Sequence, residues 1–394
     1  MSPMIKKIGI KGFRVLESEF KGEVFHVKAE LSSSKRPPCP QCSHRKPQIH
    51  SKQKRKVRHL EVFGKESILH ITHPRYRCSR CQKTFNPVLP GVMSGKQSSE
   101  PFRERIARFH HEGIPGKVMA GLAKIGSATV ERIYQHFNRR KAAERTSLQC
   151  PTILGIDEHT LHKKQRFATT FCDLKNHRVF EVIPGKSHAD LEGFLTKLQG
   201  REKVKVVCID LSCSYRSLIR RYFPHARIVA DRFHVVRLII HHFMNLARAI
   251  APEIKHQRGI LNALRMNPEN LKSHQQERLK LFFANWPAIE ALYHQMHRLR
   301  VLMNQKHRTK RQCRPLTRRL FAFIKLLKKS GLAAMVTLAQ TLEQWAEPIA
   351  CMWRFTKSNG ITEGFHRKMK LIQRRAYGFR NFDNYRLRVL AQCG

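Results

Sequence analysis

The pattern of apolar and polar positions changes character three times along this chain of 394 residues. Up to about residue 95, short apolar runs alternate with polar residues and turns, which is typical of strands; from about 100 to 145, apolar residues recur at helical spacing. Residues 151 to 235 alternate strands with helices, and helical spacing returns from about Val236 to Ala350. This order predicts a multidomain α/β protein with an all-helical segment near its end.

The helical stretch before residue 145 has the features of a helix-turn-helix. Gly126 and Ser127 predict a turn and an N-cap before its last helix. The apolar stripe of that helix consists of Val130, Ile133, Tyr134 and Phe137. Its outward polar face consists of Thr129, Arg132, His136 and Arg139. We predict that this face binds DNA, although the spacing alone also fits an ordinary helical hairpin.

Three apolar runs in the α/β stretch each end at an aspartate. They are "TILGID" at Asp157, "VKVVCID" at Asp210 and "ARIVAD" at Asp231. Side chains at the carboxyl ends of neighbouring strands converge on one crevice, where close carboxylates repel one another unless cations neutralise them. Each aspartate taken alone is also explained as a helix N-cap or a turn residue. Together they predict a site for two Mg²⁺ or Mn²⁺ ions, the arrangement that supports phosphoryl transfer.

The elements between these aspartates are also predicted. "RFATTFCDL" and "RVFEVIPG" indicate two neighbouring strands. Ser187 followed by Asp190 indicates a capping box at the start of a helix.

A fourth acid lies in "SNGITEGFHRKMKLIQRRAYGFRNF", which is otherwise basic and aromatic. At 100° per residue, one face of the predicted helix consists of Ile361, Phe365, Met369 and Ile372, and the opposite face of Glu363, Arg367, Lys370 and Arg374. A surface ion pair between Glu363 and Arg367 explains the acid in ordinary terms. We favour a metal ligand, with the neighbouring cations binding the phosphates of a nucleic acid strand.

The charge balance points to a polyanionic partner. Lys and Arg number 76 against 28 Asp and Glu, a formal net charge of +48. Two blocks without an acid, Lys35 to Arg58 and Arg298 to Lys329, indicate interaction faces, and we expect Lys310 and Arg311 in the second to bind DNA phosphates. No long apolar run and no signal-peptide pattern is present, so we expect a cytoplasmic, nucleoid-associated protein without a membrane partner.

Four of the eleven cysteines form two pairs, "CPQC" and "CSRC". These are Cys39, Cys42, Cys78 and Cys81, and their spacing predicts one structural Zn²⁺ in a reducing compartment. The intervening residues must form a hairpin between "KVRHLEV" and "SILHITHPRYRC". Unligated cysteines remain an alternative, and one ligand could instead be supplied by His44, His50, His59 or His73.

The segments "CPQC", "RYRCSRCQKTF", "LGIDEHTL", "VCIDLSCSYRSLIRRYFPHARIVADRFHVV" and "SNGITEGFHRKMKLIQRRAYGFRNF" resemble the bacterial insertion-sequence transposases of the ISL-three family. The resemblance implies a ribonuclease-H-like catalytic domain with a DDE triad of Asp157, Asp210 and Glu363. Asp231 belongs to the same motif without being one of the three, as a supporting or alternative carboxylate. The family pattern has two Asn where this chain has His366 and Arg367.

Combining pattern and resemblance, we predict four regions. They are a zinc-binding domain at 1–95, a helix-turn-helix region at 96–148, a catalytic domain at 149–237 and 352–394, and an all-helical insertion at 238–351. The function expected is a DNA transposase that binds double-stranded DNA at terminal inverted repeats and at the target, as a homodimer or higher oligomer. A structure-specific nuclease of the same fold and a non-catalytic zinc and helix-turn-helix regulator are the alternatives.

Overall fold

The computed structural model describes residues 9–33, 35–144, 149–162, 166–355 and 359–394. The chain divides into two compact units, Met1–Arg140 and Lys141–Gly394. The predicted boundary at residue 148 lies outside the described ranges. Within those ranges, no helix has both the length and the apolar character needed to cross a membrane.

The first unit begins with a five-stranded sheet. Its strands are β1 (Phe13–Lys21), β2 (Val24–Leu31), β3 (Gln48–Val62), β4 (Lys65–Arg77) and β5 (Thr84–Phe85). The order is β1-β2-β4-β3, and β5 pairs with β4. Strands β3 and β4 form the antiparallel hairpin that was predicted between the two cysteine pairs. One face of the sheet buries Phe25, Val57, Leu69 and Ile71.

Three helices complete the first unit. They are α1 (Glu100–His111), α2 (Gly116–Ala123) and α3 (Ser127–Ala143). Val130, Ile133 and Tyr134 of the predicted stripe are fully buried, and Phe137 packs against the same cluster. The turn before α3 passes through Lys124 in the left-handed conformation, with φ of 50°.

The second unit is built on a five-stranded mixed sheet. Its strands are β6 (Ile153–His162), β7 (Arg166–Asp173), β8 (Arg178–Pro184), β9 (Val206–Ile209) and β10 (Arg227–Ala230). The order is β10-β9-β6-β7-β8; β6, β7 and β8 are antiparallel neighbours, whereas β9 runs parallel to β6 and to β10. β7 and β8 are the two neighbouring strands predicted from the sequence.

Eleven α-helices are described in the second unit. They are α4 (His188–Lys197), α5 (Cys213–Tyr222), α6 (Arg232–Ile250), α7 (Arg258–Arg265), α8 (Ser273–Asn285), α9 (Pro287–Met303), α10 (Lys310–Lys329), α11 (Ala333–Gln344), α12 (Ala346–Arg354), α13 (Gly360–Arg375) and α14 (Phe382–Cys393). The predicted capping box is present at α4, where Ser187 and Asp190 bond each other's backbone amides. One continuous apolar core joins the sheet to these helices.

The strand that carries Asp157 differs from its prediction. β6 does not end at Asp157 but continues to His162, because beyond Gly155 it keeps pairing with β7 although its pairing with β9 stops. Asp157 therefore lies in the middle of a strand, at the level where β9 ends. Asp210 and Asp231 do follow directly after β9 and β10.

Candidate active site

The strand register brings the three aspartates into one row. Gly155 pairs with Cys208, so two residues farther along Asp157 is level with Asp210. Ala230 pairs with Ile209, and the amide of Asp231 donates to the Ile209 carbonyl at 2.7 Å, so Asp231 is level with Asp210. Because residues level across parallel strands share a face, the three side chains lie on one side of the sheet.

Burial and mutual repulsion make negative charge costly in this row. Burial, together with the carboxylates of Asp210 and Asp231, raises the pKa of Asp157 to about 7 against the opposing effect of His234. Burial also raises the pKa of Asp210, with contributions from Glu158 and Asp231. The site therefore favours a bound cation, which would stabilise the ionised carboxylates.

Two carboxylate oxygens in the row have no protein partner. Oδ1 of Asp210 and Oδ1 of Asp231 are buried and accept no hydrogen bond from the described residues. The other oxygen of Asp231 accepts from His234 Nδ1 at 2.7 Å, and this hydrogen bond raises the pKa of His234. Buried oxygens without donors, beside other carboxylates, are the donor set that Mg²⁺ or Mn²⁺ prefers. The residues present fit a divalent cation.

Glu363 lies on the first turn of α13, and the start of this helix contacts β6. The side-chain amide of Asn359 donates to the carbonyl of Ile156 at 3.1 Å, which holds the start of α13 against the strand that carries Asp157. The predicted cap is thus present at Asn359, but its side chain bonds β6 instead of an amide of its own helix. Gly155 leaves room for this contact, because a Cβ there would lie 2.7 Å from Asn359 Oδ1.

The Glu363 carboxylate itself bonds Arg367 at 2.9 Å and is 46% exposed. This is the surface ion pair that the sequence analysis gave as the alternative to a metal ligand. In the described part of the chain, the only group of three or more His, Cys, Asp or Glu side chains with all ligand atoms within 4.8 Å is the cysteine group. Neither the three aspartates of the row nor Asp157, Asp210 and Glu363 therefore have their carboxylate oxygens gathered within that distance of one another.

A buried polar network behind Asp157 was not predicted. His366 Nδ1 lies 3.8 Å from Asp157 Oδ2, and its Nε2 lies 3.1 Å from Thr170 Oγ1. Thr170 also contacts His159 Nδ1 at 3.0 Å, and His159 Nε2 contacts the Tyr385 hydroxyl at 2.7 Å. Burial lowers the pKa of His366 to about 4 and that of His159 to about 3, so both rings are neutral near pH 7.

The position of His366 explains why the network was missed. The buried face of α13 consists of Thr362, His366, Met369 and Ile372. The helical pattern instead favoured Ile361 and Phe365, which are only partly buried. His234 and His366 both lie in sequence motifs quoted above, each three residues after an acid, Asp231 or Glu363. This spacing is the signal from which their place beside the acids could have been predicted.

The four cysteines of the first unit form a compact cluster. Cys39 Sγ lies 3.6 Å from Cys81 Sγ, and Cys42 Sγ lies 3.5 Å from Cys78 Sγ. Four sulfurs around a tetrahedral zinc, at Zn–S distances of about 2.3 Å, are separated by nearly this distance. The backbone amide of Cys81 contributes to lowering the pKa of Cys78 to about 6, which favours the thiolate that binds metal.

The two cysteine turns share one backbone geometry. The amides of Ser43 and Gln82 donate to the carbonyls of Cys39 and Cys78, at 2.9 and 3.0 Å, and both donors have positive φ. The histidines considered as ligands do not belong to the described cluster. His44 instead contacts Ser79, and His59 contacts Ser99.

Comparison with known proteins identifies the family. A family model described as a transposase, of the DDE ISL3 type, matches residues 154–389. The chain belongs to the ISL3 family of transposases. A second model, described as the zinc finger of transposase IS204/IS1001/IS1096/IS1165, matches residues 35–81. The transposase for insertion sequence element IS1001 of Bordetella parapertussis is 27% identical over 369 residues, covering 90% of this chain and 88% of that protein.

In this transposase, the four residues predicted to face DNA on α3 line one cavity of about 970 Å³. Arg132 and Arg139 are exposed, whereas Thr129 and His136 are half-buried. Arg132 donates to Thr129 Oγ1 at 3.0 Å. Further cations around the cavity are Lys56, Arg58, Lys96, Arg103 and Lys124. The first unit of the transposase therefore contains a basic groove between its sheet and α3.

The other predicted DNA-binding residues lie on two helices of the second unit. Lys310 and Arg311 are exposed in the first turn of α10, after a capping box formed by Thr309 and Gln312. The three cations predicted on α13, Arg367, Lys370 and Arg374, are exposed as well. All of them are accessible to a polyanion.

Proposed function

We propose that this transposase binds the terminal inverted repeats of its element, cuts DNA there and joins the freed 3′ end to target DNA. The observation that carries the proposal is the row of Asp157, Asp210 and Asp231, in which burial and repulsion raise the pKa of Asp157 to about 7. Carboxylates in such an arrangement serve metal-dependent phosphoryl transfer. Membership of the transposase family supports the same chemistry.

We further propose that the second unit has a ribonuclease-H-like fold interrupted by a helical insertion. The strand order β10-β9-β6-β7-β8, with three antiparallel strands followed by two parallel ones, supports the fold. Most of α6 and helices α7 to α12 lie within the range proposed for the insertion, 238–351. The catalytic domain would then comprise 149–237 and 352–394.

Asp157, Asp210 and Glu363 are the residues proposed to hold two Mg²⁺ or Mn²⁺ ions. When bound, these ions supply Lewis acidity that lowers the pKa of an attacking oxygen and stabilises a leaving 3′ oxygen. Asp231 holds His234 beside the row. His366 borders Asp157, and burial lowers the pKa of its ring to about 4, so the ring is neutral there.

Glu363 joins this site by leaving Arg367. Their pair is half-exposed, and such i,i+4 pairs contribute only about 0.3 to 0.5 kcal/mol, so the side chain exchanges partners at little cost. Arg367 is then free to bind a phosphate together with Lys370 and Arg374. The start of α13 stays in place because Asn359 bonds β6.

The DNA contacts are divided between the two units. In the first, α3 acts as the second helix of a helix-turn-helix and reads bases with Arg132 and Arg139, while Thr129 and His136 line the groove beside them. One structural Zn²⁺ per chain stabilises the cysteine turns. In the second, Lys310 and Arg311 bind phosphates. A homodimer or higher oligomer on DNA would engage both ends of the element.

A cleavage and strand-transfer assay tests the proposal. The substrate is a duplex carrying the terminal repeat of the element, incubated with the full chain and Mg²⁺, Mn²⁺ or EDTA. Metal-dependent nicks at the repeat end and joined products are expected. Cutting without joining would favour the nuclease, and binding without cutting would favour the regulator.

A further inference from the structure

A second cavity in the catalytic unit has a lining that the proposed chemistry does not use. Its volume is about 540 Å³, within the range of about 300 to 1,000 Å³ typical of sites for a single small molecule. Four aromatic rings line it, from Phe167, Phe379, Phe382 and Tyr385. The centroids of Phe379 and Phe382 lie 5.3 and 5.9 Å from that of Tyr385. This is an aromatic surface too small for a double helix but large enough for one nucleotide.

Cations surround the aromatic surface. Arg166, Lys186 and Arg380 line the same cavity and are exposed, so the cavity opens to solvent. Among the described residues, Arg166 and Arg380 have no ion-pair partner. Lys186 Nζ lies 4.0 Å from the centroid of Phe167. Rings flanked by free cations bind a nucleobase by stacking and its phosphate by charge.

The cavity is close to the catalytic row. Lys186 Nζ lies 3.5 Å from Oε1 of Glu158, the residue after Asp157. The Tyr385 hydroxyl bonds His159, two residues beyond Asp157. Leu161, which lines the cavity, is four residues beyond Asp157 on β6, or about 13 Å at the rise of a strand. That distance corresponds to about four stacked nucleotides along one DNA strand.

We propose that this aromatic cavity binds one base extruded from the DNA, within a few nucleotides of the phosphate that is cut. The inference rests on the proposed function, because it needs a scissile phosphate at Asp157. A base leaves the duplex only if stacking elsewhere compensates for lost stacking and pairing. Phe167, Phe379 and Phe382, which are partly exposed, supply that surface, and the buried Tyr385 supports it from behind. Gln373, which also lines the cavity, offers its side-chain amide to the base edge.

Fluorescence of 2-aminopurine tests the extrusion directly. The probe replaces one base at a time, at each of the four positions on either side of the cut, in complexes with the Asp157→Ala chain so that the DNA stays intact. Emission should rise at one position, because the probe leaves the stack. In chains that also carry Phe379→Leu and Phe382→Leu the rise should fall about tenfold, since leucine keeps the apolar contact but removes the ring. Leu371→Ala, an exposed change on α13, is the control and should leave the rise unchanged.

Cleavage by chains with an intact Asp157 supplies a second measurement. The Phe379→Leu, Phe382→Leu chain should cut intact DNA about tenfold more slowly than the parent. Both should cut equally fast when the extruded position is abasic, because the cavity then has no base to bind. A rise at no position, or equal slowing on intact and abasic DNA, overturns the inference. Failure of the parent to cut at all would count against the proposed function, whereas a parent that cuts normally but gives no rise in emission would count against the cavity alone.

Discussion

At the scale of single residues, the four acids of the candidate site differ in the hydrogen bonds that their carboxylate oxygens accept. Asp157 Oδ1 accepts the amide of Glu158 at 2.8 Å, whereas Oδ1 of Asp210 and of Asp231 has no partner in the described structure. Glu363 is bonded to Arg367 and half-exposed. Under the proposed function, Asp210 therefore has an oxygen available for a cation, whereas Glu363 must first change partner.

Replacing Asp157, Asp210 or Glu363 by Ala should abolish cutting and joining while repeat binding stays nearly unchanged. The expected loss is at least about 10³-fold, because metal stabilisation of the transition state contributes several kcal/mol. Binding by gel shift and cleavage on the same DNA separate the two effects. Undiminished cutting by Glu363→Ala would remove it from the triad. Asp231→Ala is the comparison: an equally inactive, folded chain would make Asp231 a ligand as well.

Arg367→Ala tests the exchange of partners by Glu363. If Glu363 must leave Arg367 to join Asp157 and Asp210, removing the arginine should not impair the chemical step. At saturating DNA the cutting rate should therefore stay within about threefold of the parent, since the lost pair contributes only about 0.3 to 0.5 kcal/mol. Single-turnover cleavage measures this rate. A loss as large as that of Glu363→Ala would show that the pair itself positions the acid.

At the scale of elements, the sequence predicted most of what local chemistry determines. The hairpin of β3 and β4, the neighbouring strands β7 and β8, and the capping box of α4 are confirmed, because each depends on nearby residues. The length of β6 was not predictable in this way. β6 continues past Asp157 because it pairs with β7 as far as His162. The residues of β6 themselves carry no local signal for this continuation.

The candidate site was predictable in part for the same reason. Asp157 and Asp210 were found because each follows an apolar run, although the site assignment itself remains a prediction. The contact of His366 with Asp157 and that of Asn359 with Ile156 were not predicted. Each contact joins residues about two hundred positions apart in the chain. Local spacing carries no signal for them.

Gly155→Ala should disturb the contact between β6 and α13. The added Cβ would lie 2.7 Å from Asn359 Oδ1 and 2.8 Å from Leu174 Cδ2, so one of them must move. Overpacking of this kind costs about 1 to 3 kcal/mol. We expect a lower melting temperature and slower cutting, as the start of α13 is displaced. Gly193→Ala, with nothing within 4 Å of its Cβ, is the matched control and should do neither. Parental cutting by Gly155→Ala would mean that this contact does not position Glu363.

The cysteine turns should lose their metal in the Cys39→Ser, Cys78→Ser double variant. Each substitution removes a thiolate from a different pair, and structural zinc supplies folding free energy that a small, turn-rich region lacks. Metal analysis of the full chain should fall from one zinc to none, with weaker repeat binding. Cys213→Ser, at an exposed cysteine outside the cluster, should retain one zinc. Full zinc content in the double variant would refute this ligand set.

At the scale of the whole molecule, a net charge of +48 attracts any DNA, so sequence preference must come from a few positions. Phosphate contacts set register and non-specific affinity, whereas contacts to base edges set specificity. In the first unit, α3 presents Arg132 and Arg139 at a basic groove. In the second, α10 presents Lys310 and Arg311 at its exposed first turn. Substitutions in the two sets should therefore have different effects on DNA affinity and sequence preference.

Arg132→Ala should weaken binding to repeat DNA by about 1 to 3 kcal/mol and reduce discrimination against scrambled DNA, as expected for a lost base contact. The Lys310→Ala, Arg311→Ala double variant should weaken both DNAs alike and lower the salt slope by about two, one for each phosphate contact. Titrations at several salt concentrations on repeat and scrambled duplexes measure both effects. Equal losses on the two DNAs for Arg132→Ala would mean that Arg132 contacts only the DNA backbone. Other residues of the same groove would then have to contact the bases, and His136 and Arg139 are the next to replace.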